Sequence, residues 1–225
     1  MSGMKSKLTD PNLIATRQSW NQATRIHNLR KGDQAAFLRD GGELLFPEEC
    51  ELLGDVQGKD LVHLQCNSGQ DSLCLAARGA QVTGVDFSDE AIRFARQLSS
   101  DAGLPATFTQ AEVVDWMHTT SQRYDVAFAS YGALPWIEDL GRWFAGVHRI
   151  LRPGGKLVCM EFHPLVWSFG PDLRPTQDDY FAHGPFVEPV SDYVGESGAS
   201  LQSENEVAAT NTLPASSWQC TLAET

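Results

Sequence analysis

The chain has no excess of positive charge, no long apolar run and no paired-cysteine motif, and each absence removes a class of function. It carries 17 Lys and Arg against 29 Asp and Glu, a formal net charge of -12. A nucleic-acid surface needs clustered cations, which this composition does not supply. No apolar run approaches the roughly 20 residues that span a bilayer. The opening MSGMKSKLTD is polar and holds no apolar signal core. Cys50, Cys66, Cys74, Cys159 and Cys220 are odd in number and scattered. No C-x-x-C pair suggests zinc, and nothing suggests a disulfide framework. A reduced cytoplasmic compartment is the simplest reading, with no nucleic acid, membrane or metal as partner. Also missing is a G-x-G-x-x-G turn, the signature of a bound dinucleotide. There is no internal repeat and no low-complexity stretch.

What is present is a chain of 225 residues, enough for one good core. Leu61–Leu64 is a short apolar run ending in the turn QCNSG, Gln65 to Gly69. An amphipathic segment follows, with Leu73, Leu75, Ala76 and Ala77 on its buried side and Asp71 and Arg78 off it. Gly79 stops it, and Val82–Val85 forms a second strand that delivers Asp86. This is a βαβ unit. A carboxylate ending the second strand, roughly 20 residues after the turn, is where nucleoside-binding α/β folds hold ribose hydroxyls.

Elsewhere strands and helices alternate. Asp10-Pro11 starts a helix with Leu13, Ile14, Trp20, Ala23, Ile26 and Leu29 as its apolar stripe. Asp33 caps a second short helix, and Pro47–Leu53 reads as a third. Ser88 caps the helix after Asp86. Further strands are predicted at 106–110, Tyr124–Ala129 and Lys156–Phe162, the last preceded by a helix over Asp139–Leu151 and the tight turn 152–155. The fold class is therefore α/β, a Rossmann-like doubly wound, mostly parallel sheet with helices on both faces. Residues 1–55 form an N-terminal helical cap or lid. Residues 56–225 form the core, with an irregular, aromatic-rich insertion over about 164–205 and an end that reads as incomplete. Glu206–Leu213 is a further strand candidate, and Ser216-Ser217 a helix start.

Ligands of an open parallel sheet bind beyond the carboxyl ends of its strands. The Gln65–Gly69 turn, Asp86, Glu112, the Ser130–Trp136 loop and His163 all follow strands and can face one crevice. The turn suits a nucleoside without a diphosphate, because only Gly69 leaves the backbone unhindered. Each residue also has a plainer reading. Asp86 caps the next helix, Phe87 packs on a purine or seals the core, and Glu112 accepts from an exocyclic amine or sits in solvent. His163 is a general base or turns the chain before Pro164. His27 and Tyr131 are second choices, and His63 reads as structural. Trp20 closes over the ligand or belongs to the core. The aromatics from Trp167 to Tyr193 wall a small substrate, pack as a lid or form a homodimer contact.

Over about 60–163 these segments resemble the class I S-adenosylmethionine-dependent methyltransferases. LVHLQCNSG stands where that family has a turn such as VLDLGCGTG, VTGVDFS matches its acidic second strand, and YDVAFASYGALPWIEDL and HRILRPGGKLVCMEF match its fourth and fifth. The HLQC turn is similar to that of a subset of bacterial small-molecule methyltransferases. The resemblance implies S-adenosylmethionine as cofactor. Asp86 would hold the ribose and Phe87 flank the adenine, with Ser88 beside them. Glu112 and Val113 would read the adenine edge. Gln65, Cys66, Asn67 and Gly69 would lie along the methionine part, near the Ser130–Tyr131 backbone. It implies methyl transfer to a small organic molecule on nitrogen, oxygen or carbon. Two alternatives stay open: a non-catalytic cofactor-binding scaffold and a nicotinamide-dependent oxidoreductase. His63, Gln65 and Asn67 depart from the family turn. The family's closing helix and antiparallel strand pair find only a beginning in Trp218–Thr225.

Overall fold

The computed structural model describes residues 10–170, 172–176, 179–196, 210–219 and 221. Three helices open the chain: α1 (Pro11–Arg30), α2 (Gln34–Arg39) and α3 (Pro47–Leu53). Asp10 caps α1 by accepting the Asn12 N–H at 2.9 Å, with Pro11 at the first helical position. Then come β1 (Asp60–Leu64), α4 (Gln70–Ala77), β2 (Gln81–Asp86), α5 (Asp89–Ala102), β3 (Thr107–Gln110), α6 (Val113–Thr119), β4 (Tyr124–Ala129), α7 (Leu140–Ile150) and β5 (Leu151–Cys159). The five strands are parallel in the order β3-β2-β1-β4-β5. The order reverses between β1 and β4, which opens a crevice at their carboxyl ends.

Two apolar layers enclose the sheet. Leu61, Leu73, Leu75, Ile92, Ala95, Phe108 and Phe128 pack on one face, and Val62, Leu64, Val85, Met117, Trp143, Val147 and Ile150 on the other. That β1 is buried on both faces explains its unbroken apolar run. Gly69, at φ 78°, is required twice over. Its backbone is left-handed, and an added Cβ would lie 2.8 Å from both Ala95 Cβ and the Phe108 ring.

Beyond β5 a short 3-10 turn spans Pro164–Ser168, followed by β6 (Phe186–Pro189), α8 (Tyr193–Glu196) and β7 (Pro214–Ser217). β6 and β7 pair antiparallel in a sheet of their own. That ribbon lies on α1. Ser216 N–H donates to Thr16 Oγ1 at 2.9 Å, and the Ser19 hydroxyl donates to the Leu213 carbonyl at 2.6 Å.

Several expectations need correction. β5 begins at Leu151, which pairs with Tyr124 before the 152–155 turn leaves the ladder, and it ends at Cys159, short of Phe162. Leu29 closes the expected apolar stripe yet is 61% exposed, because α1 is packed along two other strips. Ala77 is also exposed, and Asp71 is half-buried. Ser216-Ser217 belongs to β7, not to a helix, since its partner is β6. The strand expected at 206–213 lies largely outside the described residues, and 210–213 are not strand. No helix among the described residues is long and apolar enough to cross a membrane.

Candidate cofactor and active site

The β1–α4 turn keeps a left-handed backbone where glycines would be easiest: Gln65 has φ 53° and Asn67 φ 47°. Both side chains are put to use. Gln65 Nε2 donates to the Ala133 carbonyl at 2.6 Å, while its Oε1 accepts from Trp143 Nε1 at 3.2 Å. It therefore ties the turn to the loop after β4 and to α7. Asn67 presents its backbone N–H to Asp86 Oδ2 at 2.9 Å, and its Oδ1 accepts from the Ser68 hydroxyl at 3.0 Å. Cys66 is buried, with Sγ against the strand at Gly84.

Asp86 ends β2 and is 6% exposed. Its other oxygen accepts the Ser88 N–H at 2.8 Å. Burial pushes its pKa up to about 6, against the downward pull of the Ser88, Asn67 and Phe87 N–H groups. A carboxylate offers about four acceptor positions, so these N–H groups leave room for a further hydroxyl donor. Ser88 caps α5, its Oγ accepting the Ala91 N–H at 3.0 Å.

Phe87 and Glu112 share a cleft of about 420 Å³ with Gln110, Ala111, Asp115 and Trp116. Leu13, Ile14 and Arg17 of α1 line its other side. The size suits a small organic ring system (roughly 300–1,000 Å³ is usual). The Glu112 carboxylate is engaged at the start of α6, accepting from Val114 and Asp115 N–H at 3.1 and 2.7 Å. Val113 is buried in the core behind it. A second hollow, of about 360 Å³, lies around Lys59 and Gly154, near where β1 begins and remote from this cleft.

The loop after β4 forms the far wall. Ser130 Oγ lies 3.3 Å from His63 Nε2, and Ser72 Oγ lies 2.8 Å from its Nδ1. Burial lowers His63 to about 3, so it is neutral and bridges two hydroxyls. Tyr131 donates its hydroxyl to Glu48 Oε1 at 3.0 Å, which raises its pKa, and packs against Phe46 and Phe162. Trp20 meets Trp136 edge-on at 5.1 Å. His163 is exposed; its Nδ1 accepts the Leu165 N–H at 3.1 Å, leaving Nε2 free of that bond. His27 is buried against the Ser191 carbonyl and the Tyr193 ring, and desolvation lowers its pKa.

Sequence reasoning missed several residues that shape this crevice. Asn21 and Asn28 fasten α1 across it. Asn21 Oδ1 accepts from the Ser88 hydroxyl at 2.6 Å, and Asn28 Nδ2 donates to Ser68 Oγ at 2.9 Å. Glu161 accepts the Gly132, Leu134 and Phe162 N–H groups at 3.0, 2.9 and 2.8 Å and so fixes the loop after β4. Tyr193, the end of the aromatic block already singled out, packs against His27 with its other face exposed, and desolvation together with the nearby Asp71 and Asp86 raises its pKa. The available signal was the polar spacing Arg17, Asn21, Thr24, Asn28, Lys31 along one helical strip.

A family model described as "Methyltransferase domain" matches residues 62–155. The chain is 35% identical over 143 residues to the 2-phytyl-1,4-naphtoquinone methyltransferase of Nostoc punctiforme, covering 61% of this chain and 59% of that protein. It is 25% identical over 162 residues to the ubiquinone biosynthesis O-methyltransferase of Alkalilimnicola ehrlichii, covering 67% of this chain and 64% of that one. It thus spans about three fifths of the length of these curated relatives. In fold it is similar to an S-adenosylmethionine-dependent methyltransferase from Mesorhizobium loti (TM-score 0.57, 24% identity, 79% of this chain and 74% of that one). It is likewise similar to DhpI in its complex with SAH (TM-score 0.56, 15% identity, 93% of this chain and 80% of that one). Over residues 62–155 the chain is thus similar to methyltransferase domains, carried on a parallel sheet whose second strand ends in Asp86.

Proposed function

We propose that this chain transfers the methyl group of S-adenosylmethionine to a small organic acceptor. The observation that carries the reading is Asp86, held by the Asn67 and Ser88 N–H groups at the end of β2 with acceptor positions to spare. The residues present fit the cofactor. Asp86 holds the ribose hydroxyls, Phe87 flanks the adenine, and Ala111 and Glu112 border it in the 420 Å³ cleft, with Val113 in the core behind them. The Gln65–Gly69 turn and Trp20 enclose the methionine part.

The cofactor supplies an activated methyl group on a sulfonium. What the chain adds is alignment and exclusion of water. Glu161 holds the 130–136 loop, so that Ser130 and Tyr131 form a fixed wall opposite the β1 turn. His63 stays neutral and stiffens that wall from behind. Where the acceptor must lose a proton, Nε2 of His163 takes it, with Tyr131 as the second candidate; Nδ1 of His163 is held by Leu165 N–H. Two relatives are named for quinone pathways, which supports an aromatic or quinoid acceptor. The nicotinamide alternative is not favoured, since the turn lacks the glycines a pyrophosphate needs.

Titration calorimetry with S-adenosylmethionine and S-adenosylhomocysteine tests the reading. Binding at micromolar concentration is expected, followed by methyl transfer to some member of a panel of phenols, hydroquinones and amines. No binding of either at sub-millimolar concentration would sink it. Binding with no turnover across the panel would favour the scaffold reading instead.

A further inference from the structure

α1 is bound on two sides. Thr16, Ser19 and His27 are taken up by the far end of the chain, through Ser216, Leu213 and Ser191. Arg17, Asn21 and Arg25 recur every four residues and so share another strip. Asn21 Oδ1 accepts from the Ser88 hydroxyl at 2.6 Å, and its Nδ2 donates to Asp89 Oδ1 at 2.8 Å. Arg25 pairs with Glu90 at 3.5 Å. Two members of the strip are thus satisfied at the start of α5, immediately after Phe87. The third, Arg17, stands one turn before Asn21 and lines the 420 Å³ cleft instead, together with Phe87 and Glu112.

Arg17 is partly exposed, so a molecule in the cleft can touch it. Its guanidinium carries five N–H donors, and none has a hydrogen-bond or ion-pair partner among the described residues. The two carboxylates that share the cleft are engaged elsewhere. Glu112 accepts the Val114 and Asp115 N–H groups, and Asp115 pairs with Arg142 at 2.7 Å. Of the charged residues lining the cleft, Arg17 alone is therefore unpaired among the described residues. Around it the wall is apolar, from Leu13 and Ile14 of α1, Phe87 after β2 and Trp116 of α6. A planar guanidinium stacks on aromatic faces, a nucleobase included, and the attraction grows as water is excluded.

We infer that the Arg17 guanidinium lies against the purine ring of the bound cofactor, on the α1 side of the cleft. The inference rests on the S-adenosylmethionine reading above and adds to it a binding residue from outside the parallel sheet. The helix then serves as more than a cover. Phe87 meets the purine from the sheet, Arg17 meets it from α1, and Asn21 sets the two at a fixed spacing by bonding Ser88.

The test compares wild type, Arg17→Met and Arg25→Met in the full chain. Binding is measured by calorimetry with S-adenosylhomocysteine and with 5′-methylthioadenosine, which keeps the adenosine and lacks the amino-acid part; thermal unfolding is followed without ligand. Arg17→Met keeps an unbranched apolar stem and removes the cation. It should weaken both ligands by the same factor, about three- to tenfold, the contribution of a partly desolvated cation on an aromatic ring. Arg25→Met removes a charge from the same strip outside the cleft and should stay within about twofold of wild type. Without ligand, Arg17→Met should unfold at the wild-type temperature, because the guanidinium it removes holds no partner in the folded chain. Arg17→Met within about twofold of wild type would overturn the inference and leave the cofactor reading intact. A loss confined to S-adenosylhomocysteine would overturn it by moving the contact to the amino-acid part, and an equal loss in Arg25→Met would trace the effect to net charge. A clear fall in the unliganded unfolding temperature of Arg17→Met would overturn it by revealing a structural role. Failure of wild type itself to bind S-adenosylhomocysteine would overturn the cofactor reading first.

Discussion

Asn67 donates its backbone N–H to Asp86 Oδ2 at 2.9 Å, and does so from a left-handed conformation. The β1–α4 turn therefore reaches sideways to orient the carboxylate of the next strand. The two halves of the βαβ unit are locked before any ligand arrives.

That lock makes cofactor affinity depend on pH. The Asp86 carboxyl is raised to about 6 by burial, and hydroxyl donors bind the ionised form. Affinity for S-adenosylhomocysteine should hold from pH 8 to about 6.5 and fall up to about tenfold per unit below 6. Asp86→Asn should bind at least tenfold more weakly at pH 8 and lose that slope. A slope that survives in Asp86→Asn would move the titration to Asp71, also raised to about 6.

Gln65 carries opposing contributions. Its left-handed φ of 53° disfavours any residue but glycine by about 1–2 kcal/mol. Its two side-chain bonds to Ala133 and Trp143 return about 0.5–1.5 kcal/mol each. Gln65→Gly should therefore come out within about 1 kcal/mol of wild type in urea unfolding, since strain and bonds leave together. Gln65→Ala loses the bonds and keeps the strain, and should be at least about 1 kcal/mol less stable than Gln65→Gly. Equal stability of the two variants would refute the strain argument.

Glu49 is buried on α3 and accepts the Phe46 N–H at 2.9 Å, yet desolvation raises its carboxyl to about 7. The folded pKa lies above the unfolded one. The group's contribution to stability is then fully present below the unfolded value and lost as pH rises through the folded one. Glu49→Gln, uncharged throughout, should match wild type near pH 4.5 and exceed it by at most about 3 kcal/mol at pH 8. Unfolding temperatures over that range decide the matter; a gap that stays constant with pH would contradict it.

His163 caps the short turn at Pro164–Ser168 and follows β5, at the carboxyl end of the sheet. Acting as a general base, it should cost about 10²-fold in kcat when changed to Ala, with S-adenosylhomocysteine affinity unchanged. A loss under threefold would leave His163 a cap alone.

What the sequence made legible was local. The Ser88 cap, the βαβ unit and the acidic end of β2 each depend on residues within a few positions of one another, so pattern reveals them. Helix α1 shows the limit. Its apolar stripe was visible, but Leu29 on that stripe is solvent-exposed, and the strip that faces the crevice is polar. That polarity resembles a solvated face until the fold puts Ser68 and Ser88 opposite it. β6 and β7 were not legible for another reason. Phe186–Pro189 is exposed along its whole length, and its partner lies more than two dozen residues away, so neither alternation nor a hairpin turn marks the pair. Glu112 was read as an adenine contact or a surface carboxylate; its engagement with the first turn of α6 depends on backbone geometry that composition does not encode.

The ribbon of β6 and β7 on α1 also sets an order of events during synthesis. Ser216 bonds Thr16 across 200 positions, and Leu213 bonds Ser19 across 194. The parallel sheet can assemble once Cys159 has left the ribosome, because its five strands are then all available. The roof cannot be pinned until β7 emerges. A nascent chain thus carries an open crevice with uncovered apolar groups on α1 until Ser217 has been made, and early ligand at that stage meets a half-built receptor.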